Sequence, residues 1–595
     1  MHLDNYYVPK SEDDYVAPEE TFADATSDHA FVEVPIASRA FFVFTLGIGI
    51  ILGVILIQSF RLQILQGNSF AIIAERTQSH HYMLPGLRGA ILDRNDLPLV
   101  ENIPVFDLVA VRSELIRADR PEFAVLLEEH KEDGVFVVQR DISKKEAIQY
   151  QSEKIPGIYV VASARRSYPW GPSFAHVLGY TSSITAEELD KNPTYNLHDR
   201  VGRLGLESQY EPFLHGRAFE YILDADAEPH VSQEAGQVLN TNLDAQLQAE
   251  LYEAMDRVFR SAGVRRGAAV VQDVQTGGVL AIISMPTFDP NIFEETLDQT
   301  SASTRTRILE DNNKPLFNRA ISGLYAPGST VKPLYAMAGL REGTVDEKTT
   351  IHADGAIEIQ SEADPTVYYT YRDWKVHGWT DILKAIADSV DVYFYALGGG
   401  YQHIEGLGID RLSSYLRLFH ADKKTGIDLP NEKEGFVPTR AWKQEARGDA
   451  WYVGDTYNVS IGQGDLVVTP LWINTYIAAI ANGGKIMKPR IVKGDPEIME
   501  VLNFDEKTFD IVRSGMRQTI THGTGLLLND LPQSVAAKTG TAQITGRGLN
   551  SLFTLYAPYE DPKIAMTILV ENIPQSQSLA MQVAKNFLVW YFSNR

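Results

Sequence analysis

The chain has 595 residues, of which 44% are hydrophobic, and it contains no cysteine. At about 150 residues per domain, this length predicts three or four folded units. The lack of cysteine excludes disulfides, thiolate zinc sites and cysteine nucleophiles, and it suits an exported protein. The net charge of −23 argues against non-specific nucleic-acid binding, which needs clustered Lys and Arg to neutralise phosphates.

The chain begins with an acidic tail and an uninterrupted apolar segment. Residues 1–38 contain nine acidic residues and one Lys without hydrophobic periodicity, which predicts a disordered tail. The 18 residues 40–57, AFFVFTLGIGIILGVILI, carry no charge and would span ~27 Å as a helix, close to the thickness of a bilayer core. A cleaved signal peptide is the alternative, but the segment is long for one and no small-x-small cleavage site follows it. We predict a single transmembrane helix over 39–58.

The charges around this helix leave its orientation open. Arg39 precedes the apolar segment, whereas Arg61 and Arg76 follow it, so the positive-inside rule is undecided. A cytoplasmic tail is therefore inferred only from the chemistry of the residues downstream.

The next 180 residues alternate between helical and β-like patterns. Apolar residues at helical spacing in 59–80 predict a helix that continues out of the membrane. Residues 85–235 mix short β-like runs, such as VFDLVAV and GIYVVAS, with helical stretches and Gly/Pro turns. We predict a mixed α/β domain over 59–238, here called the pedestal.

A different pattern begins at residue 239. Asp244 is placed to cap a helix in which Leu247, Leu251, Met255 and Phe259 recur every fourth residue. Two β-like runs, GAAVVQDVQ and VLAIISM, follow with a Thr-Gly-Gly turn between them and predict an antiparallel hairpin. With the later helices and two late strands, these elements predict an α+β domain over 239–595.

A Ser-x-x-Lys motif in this domain is the first sign of acyl-transfer chemistry. In YAPGSTVKPLYAMAGL, Ser329 and Lys332 are three residues apart, which on a helix brings the amine within reach of the hydroxyl. Gly328 and the apolar run that follows place the serine at a helix N-terminus, where N–H groups favour an oxyanion. The motif alone is weak, because chance produces it about twice in a chain of this length.

A Lys-Thr-Gly motif near the C-terminus is the second sign. In VAAKTGTAQI, a strand would place Lys538 and Gly540 on one face and Thr539 and Thr541 on the other. KTG also occurs at 424–426, but in a polar loop that lacks both the small-residue strand and the trailing Thr. We reject this second copy as a functional site.

A third motif, Ser389-Val390-Asp391, lies between the first two in IADSVDVYFYALG. In acyl transfer of this kind a second Ser passes a proton between the lysines and the leaving group. A helix cap or a buried polar patch would explain the same residues.

A metal site was considered at Asp373, His377 and Asp381, whose spacing would place oxygen and nitrogen ligands on one helical face. A solvated polar loop ahead of a helix explains these residues better. We therefore predict neither a metal nor a cofactor.

The order of the three motifs, Ser329–Lys332, Ser389–Asp391 and Lys538–Gly540, resembles the signature of penicillin-binding proteins and class A β-lactamases. The resemblance implies a penicillin-binding-protein/β-lactamase-like transpeptidase fold, with an antiparallel sheet flanked by helices. An elongated mixed α/β pedestal and a single transmembrane helix would precede it.

Longer strings make the resemblance more specific. They are RGAILDRNDLPL at 88–99, RSYPWGPSFAHVLGY at 166–180, GRLGLESQYEPFLHG at 202–216, GAAVVQDVQTGGVLAIISMPTFDPN at 267–291, YRDWKVHG at 371–378 and DTYNVSIGQGDLVVTPLW at 455–472. With them, the chain resembles the class B penicillin-binding proteins, and most closely the elongation-type penicillin-binding protein 2.

The resemblance implies a two-step acyl transfer on the D-Ala-D-Ala end of a peptidoglycan stem peptide, which cross-links the lateral wall. An amine of a neighbouring stem resolves the acyl-enzyme, whereas β-lactams stall there. The backbone N–H groups of Ser329 and Thr541 would form the oxyanion hole. The residues assigned in this way are the catalytic Ser329, Lys332, Ser389 and Lys538, and the substrate-binding Asp391, Thr539, Gly540 and Thr541.

Two residues depart from the usual family pattern. Asp391 stands where Asn is common, and an ionised Asp accepts hydrogen bonds but donates none, so its bonds to Lys332 or to substrate would differ. Asp96 stands where Gly is common in DRNG, and because Asp tolerates positive φ the turn is expected to survive.

The resemblance also implies location and partners. The catalytic domain would lie on the periplasmic or extracellular side of the plasma membrane, with the tail in the cytoplasm. Partners would be lipid-linked precursor glycan, a polytopic membrane glycosyltransferase and shape-determining proteins of the elongation complex. The alternatives are a septal transpeptidase, a β-lactamase or β-lactam sensor, and a non-catalytic scaffold.

Overall fold

The structure is a computed structural model, and it describes residues 38–66, 80–118, 120–131, 133–192, 194–196, 198–223, 235–294, 299–361, 364–544, 548–573 and 578–595. The chain divides into two units, Met1–His80 and His81–Arg595. The predicted acidic tail lies outside the described residues up to position 37, as do residues 67–79 of the helix expected beyond the membrane.

The first unit contains one long helix, α1 (Ser38–Phe60), which continues into a π-helical turn at Arg61–Leu65. Its apolar side chains are exposed along its length, for example Phe42 and Ile57. Among the described residues it is the only helix long and apolar enough to span a membrane.

The pedestal elements come first in the second unit. The strands are β1 (His80–Leu84), β2 (Ile91–Leu92), β3 (Pro98–Val111), β4 (Val135–Ile142), β5 (Ile158–Ser167), β6 (Thr181–Ser183), β7 (Arg200–Gly202) and β8 (Phe219–Leu223), and the pedestal sheet also takes in β9 (Leu239–Asn240), the first strand of the C-terminal domain. The helices are α2 (Arg112–Ala118), α3 (Ala124–Glu129), α4 (Lys144–Glu153), α5 (Ala175–Leu178), α6 (Ala186–Lys191), α7 (Gly205–Gln209) and α8 (Glu211–Leu214), with 3-10 turns at Pro121–Phe123 and Gly171–Phe174.

The long strand β3 organises the pedestal sheet. The strand order is β4-β3-β2-β9, and β5 also pairs with β3, antiparallel from Glu101↔Ser167 to Ala110↔Ile158. The C-terminal half of β3 is buried on both faces: Val109 packs in one apolar cluster, while Leu108 packs in another that includes Ala147 of α4. Both faces of the strand are covered, so the sequence VFDLVAV alternates only weakly.

The turn between β2 and β3 confirms the expectation for Asp96, which adopts φ 64°. Asp93 stabilises this turn, because its Oδ1 accepts hydrogen bonds from the backbone N–H of Asn95 (2.6 Å) and Leu97 (2.9 Å). An acidic residue thus occupies a left-handed position that glycine usually fills.

A buried ion-pair network ties the pedestal strands to its helices. Glu207 of α7 has no exposed surface and pairs with Arg166 Nε and Arg88 Nη2, both at 2.7 Å, while Arg88 also pairs with Glu211 at 2.8 Å. Burial by itself would raise the pKa of Glu207, but the two guanidinium groups hold that pKa below its usual value. The stabilisation is therefore present above the unfolded-state pKa and is lost as pH falls through the folded-state pKa.

After β9, the C-terminal domain contains eleven further strands and twelve helices among its described residues. The strands are β10 (Gly267–Asp273), β11 (Val279–Met285), β12 (Ile351–Ala353), β13 (Ala356–Gln360), β14 (Tyr368–Arg372), β15 (Gly378–Thr380), β16 (Lys485–Met487), β17 (Ile498–Val501), β18 (Ala536–Ile544), β19 (Gly548–Ala557) and β20 (Ile564–Ile573). The helices are α9 (Ala245–Ala262), α10 (Gln299–Glu310), α11 (Arg319–Ser322), α12 (Lys332–Arg341), α13 (Ile382–Ala387), α14 (Asp391–Gly399), α15 (Gly408–Leu418), α16 (Arg440–Arg447), α17 (Val453–Ser460), α18 (Pro470–Ala481), α19 (Glu506–Thr521) and α20 (Leu579–Asn594), with 3-10 turns at Pro290–Phe293, Gly328–Val331 and Leu526–Leu528.

Five of these strands form the central antiparallel sheet, in the order β11-β10-β20-β19-β18. The predicted helix and hairpin are confirmed: Asp244 caps α9 by accepting from Leu247 N–H at 3.1 Å, and β10 pairs with β11. Helices α9 and α20 share an apolar core with one face of the sheet, and α12, α14 and α18 share a core with the other. This is the predicted α+β layering.

The pedestal and the C-terminal domain share a hydrophobic core. One apolar cluster joins Val100 and Phe174 of the pedestal to Val270 of β10 and Leu471 of α18. Strand β9 also pairs in parallel with β2 of the pedestal sheet. The two regions are therefore packed together.

The Glu207 network gives the first testable prediction. Glu207→Ala leaves the buried guanidinium group of Arg166 without its anion and leaves Arg88 with Glu211 alone, so it should lower the free energy of unfolding by about 3–5 kcal/mol. Glu187→Ala removes a carboxylate that is 79% exposed and paired with the exposed Lys191, and it should change stability by less than about 0.5 kcal/mol. Urea unfolding of the full chain in detergent measures both, and equal effects would contradict the assignment.

Candidate active site

The first motif lies at the start of α12. Ser329 belongs to the 3-10 turn Gly328–Val331 and is half-buried, and Lys332 is the first residue of the α-helix. In a 3-10 turn, residues i and i+3 lie one above the other, so the turn keeps both side chains on one face.

Gly328 allows this turn to pack tightly. It adopts φ 54°, and its N–H donates to the carbonyl of Gly462 at 2.9 Å. A Cβ atom at this position would lie 2.8 Å from the carbonyl oxygen of Thr541. The backbone beside Ser329 is thus in contact with β18, the strand that carries the Lys-Thr-Gly motif.

Lys332 is fully buried, and the second motif surrounds its amine. The Nζ atom donates to Asp391 Oδ1 at 2.5 Å and to the Ser389 carbonyl at 2.9 Å, and it lies 3.3 Å from Ser389 Oγ. It also lies 5.2 Å from the ring centre of Phe394, within cation–π range. Asp391 thus uses its carboxylate to accept a hydrogen bond from Lys332.

Ser389 has the backbone conformation that makes these contacts. It lies between α13 and α14 with φ 58°, which is rare for a residue with a side chain. In this conformation its carbonyl and its hydroxyl both face the amine of Lys332. Strained backbone of this kind is typical of functional sites.

The third motif follows the alternation expected of a strand. On β18, Lys538 and Gly540 are buried, whereas Thr539 is half-buried and Thr541 is exposed. Lys538 Nζ donates to the carbonyl of Thr539 at 3.1 Å. Burial, and then the positive charge of nearby Lys332, hold the pKa of Lys538 well below its usual value.

Sequence reasoning gave no role to two contacts at this site. The hydroxyl of Thr524 lies 2.7 Å from that of Thr539, and Gln463 Nε2 donates to the carbonyl of Thr541 at 3.4 Å. Their only sequence signals are the small-residue runs HGTG and SIGQG, which do not reveal a tertiary contact.

The rejected second KTG lies in a loop, as expected. The backbone N–H and the hydroxyl of Thr425, together with the N–H of Gly426, donate to the carboxylate of Glu432. This copy of the motif wraps a buried acidic side chain.

The premise of the considered metal site was wrong. Residues 373–377 lie between β14 and β15 and form no helix, so the spacing does not place the three side chains on one helical face. Asp373 Oδ1 lies 3.4 Å from His377 Nε2, whereas Asp381 caps α13 by accepting from Lys384 N–H at 2.8 Å. Within the described residues, no three His, Asp or Glu side chains are arranged to hold a metal.

Comparison with known proteins assigns the family. The model of the penicillin binding protein transpeptidase domain matches residues 267–589, and that of the penicillin-binding protein dimerisation domain matches residues 83–242. The chain belongs to the penicillin-binding protein transpeptidase family. The expected transpeptidase fold with a preceding pedestal is confirmed.

Three relatives are similar over most of the chain. The peptidoglycan D,D-transpeptidase MrdA of Acinetobacter baumannii is 31% identical, covering 90% of this chain and 84% of the relative. Penicillin-binding protein PBP2 of Helicobacter pylori, solved in complex with MreC, is 29% identical with a TM-score of 0.73, covering 87% of this chain and 99% of that one. A chain from a study of a peptidoglycan synthase complex that coordinates polymerization and crosslinking is 27% identical with a TM-score of 0.71, covering 93% and 99%.

Gly540 provides a test of the site geometry. A Cβ atom there would meet Thr330 Cγ2 at 2.7 Å and the carbonyl of Pro327 at 3.2 Å, so Gly540→Ala should push β18 away from the Ser329 turn. We expect acylation by a fluorescent penicillin to slow by about a hundredfold. Gly134→Ala, whose Cβ meets nothing within 4 Å, is the matched control and should label normally. Normal labelling of Gly540→Ala would contradict this close approach.

Proposed function

We propose that the chain is an elongation-type peptidoglycan D,D-transpeptidase that cross-links stem peptides through an acyl-enzyme on Ser329. The observation that carries this proposal is the convergence of all three motifs on one site: Lys332 contacts Ser389 and Asp391, and the Ser329 turn packs against the strand of Lys538. Similarity to transpeptidases named MrdA and PBP2 over most of the chain supports the same activity.

In the first step, Ser329 attacks the carbonyl of the D-Ala-D-Ala bond and gives its proton to Lys332. The ammonium formed on Lys332 is stabilised by the Asp391 carboxylate at 2.5 Å and by the Ser389 carbonyl at 2.9 Å. The N–H groups of Ser329 and Thr541 stabilise the oxyanion, a role supported by the contact between their two backbone segments.

As the acyl-enzyme forms, the amine of the terminal D-Ala takes up a proton and leaves. Ser389 Oγ lies 3.3 Å from Lys332 Nζ and passes the proton from this lysine to the leaving amine. Thr539 and Thr541, on the accessible side of β18, hold the terminal carboxylate of the substrate together with Lys538, and Gly540 leaves room for the substrate backbone beside the strand. An amine of a second stem peptide then attacks the ester and restores Ser329.

β-Lactams follow the first step of this reaction. They acylate Ser329 as the ring opens, but the leaving nitrogen stays attached to the acyl group. The acyl-enzyme ester therefore persists. The penicillin-binding family to which the chain belongs supports this expectation.

The apolar helix α1 and the similarity to MrdA proteins indicate a membrane-anchored protein. We place residues 1–38 in the cytoplasm and the membrane helix at 39–58. The pedestal at 59–238 and the transpeptidase domain at 239–595 then lie on the periplasmic or extracellular side, where peptidoglycan is made.

The partners follow from the same proposal. A relative of this chain has been solved with MreC, and another comes from a study of a synthase complex that couples polymerization to crosslinking. We expect this chain to bind a polytopic glycosyltransferase that polymerises lipid-linked precursor glycan, and a shape-determining protein of the MreC type.

The serine assignment is tested by labelling the full chain with fluorescent penicillin. Ser329→Ala removes the nucleophile and should abolish labelling. Ser322→Ala is the matched control and should label normally, because the hydroxyl of Ser322 donates to the carbonyl of Asn431 in an exposed turn. Persistent labelling of Ser329→Ala would place the acyl group elsewhere, and rapid loss of label from the unchanged chain would indicate a β-lactamase.

The orientation is tested with single cysteines, because the chain has none of its own. A membrane-impermeant maleimide added to intact spheroplasts should modify Glu187→Cys in the exposed part of the pedestal. Ser11→Cys in the tail should react only after the membrane is broken. The reverse pattern would contradict a cytoplasmic tail.

A further inference from the structure

Helix α14, which begins at Asp391, has no capping side chain at its own N-terminus. Its N-cap residue is Val390, which offers no hydrogen-bond acceptor in its side chain. Other helices of the domain have such a cap: Asp381 caps α13, and Asp505 caps α19. The first N–H groups of a helix have no partner within the helix, so those of α14 need an acceptor from another part of the chain.

Asp373 supplies this acceptor from 19 residues away. Its Oδ2 accepts from the backbone N–H of Val392 at 3.0 Å, and its side chain has no exposed surface. The same carboxylate accepts from Trp374 N–H at 2.7 Å through Oδ1. It therefore makes the hydrogen bond that a Ser, Thr, Asn or Asp at position 390 would make.

The loop that carries Asp373 is itself fixed on both sides. The N–H of Asp373 donates to the carbonyl of Gly355, beside strand β13, at 2.8 Å. The hydroxyl of Tyr395, one turn into α14, donates to the carbonyl of Arg372 at 3.3 Å. The loop and the first turns of α14 are thus joined at two points, and the position of one determines that of the other.

The first turn of α14 matters because the groups around Lys332 belong to it. Asp391 is the first residue of the helix, and Ser389, in its strained conformation, lies two residues before it. A small rotation of this turn would move the Asp391 carboxylate and the Ser389 carbonyl away from the amine. Misplacement by about 1 Å is enough to slow an enzymatic step strongly.

We propose that Asp373 is a positioning residue for acylation, which caps α14 from outside the helix and thereby fixes Ser389 and Asp391 around Lys332. This inference rests on the proposed function of the site. Burial, and then the nearby Asp391 carboxylate, raise the pKa of Asp373. The charged form of Asp373 is therefore disfavoured at this position.

The competing explanation is that Asp373 serves through its charge, as the counter-ion of His377. The two side chains approach to 3.4 Å, and both ring nitrogens of His377 are buried without a hydrogen-bond partner among the described residues. The two explanations predict different results for the substitution Asp373→Asn. An amide oxygen at position 373 still accepts from Val392 N–H, whereas it carries no charge.

The test compares Asp373→Ala and Asp373→Asn in the full chain in detergent, with the rate of acylation by fluorescent penicillin as the first measurement. Asp373→Ala should slow acylation by about tenfold or more, and Asp373→Asn should recover most of that loss. Asp381→Ala, which removes the cap of α13, is the matched control and should change the rate by less than about threefold. An unchanged rate in Asp373→Ala, or an equal loss in Asp373→Asn, would overturn the proposal.

A local cap should rescue the defect. Val390 is fully buried, and Val390→Thr places a hydroxyl at the N-cap position, where the free N–H groups of the helix give it a hydrogen-bond partner. Combined with Asp373→Ala, it should bring the rate back towards that of Val390→Thr alone. No recovery, with the single Val390→Thr variant active, would contradict a capping role.

Hydrogen exchange of residues 391–399 by mass spectrometry separates this inference from the proposed function. Asp373→Ala should speed exchange in this peptide, and Asp373→Asn should not, whether or not the protein reacts with penicillin. If this exchange pattern is seen but the unchanged protein does not react with penicillin, the capping role is supported and the proposed function is contradicted. If the protein labels at Ser329 but the exchange difference is absent, the proposed function is supported and the capping role is contradicted.

Discussion

The structure depends on the burial of the Lys332 amine in the apolar interior of the C-terminal domain. Burying a polar amine costs free energy unless hydrogen-bond partners replace the water that it loses. Asp391 at 2.5 Å and the Ser389 carbonyl at 2.9 Å provide these partners. Their positions require the left-handed conformation of Ser389 and the start of α14 at Asp391. The geometry of the second motif is thus a consequence of where the first motif places its lysine.

A second buried lysine beside the first gives the site its electrostatic character. Lys538 is as inaccessible as Lys332, and their proximity adds to burial in lowering the pKa of Lys538. Burial and the second amine both disfavour the charged form of Lys538. Such perturbed groups are typical of sites that transfer protons. The close approach that produces this pair is possible because Gly328 and Gly540 have no Cβ atoms to separate the turn from the strand.

The pedestal is packed against the C-terminal domain through one apolar cluster. Its apolar residues pack with β10 and α18, and Tyr210 of the pedestal donates to Asp428 Oδ2 at 2.9 Å. Asp428 also accepts from the backbone N–H of Ile491 at 2.6 Å. A partner that binds the pedestal would therefore act on a region packed against the sheet that carries the third motif. The Glu207 network keeps the pedestal elements in one arrangement through charge pairs that have almost no access to water.

The sequence alone determined those features that depend on the residue pattern within a single helix or strand. These are the apolar helix near the N-terminus, the Asp244 cap, the β10–β11 hairpin and the side-chain alternation on β18, because burial repeats with the period of a helix or strand. Only the tertiary structure decided which side chains meet. Lys332 and Asp391 are 59 residues apart, and Asp373 reaches Val392 across 19. Spacing alone wrongly placed Asp373, His377 and Asp381 on one helical face. The physical reason is that contacts between elements depend on packing, which periodicity within one element does not encode.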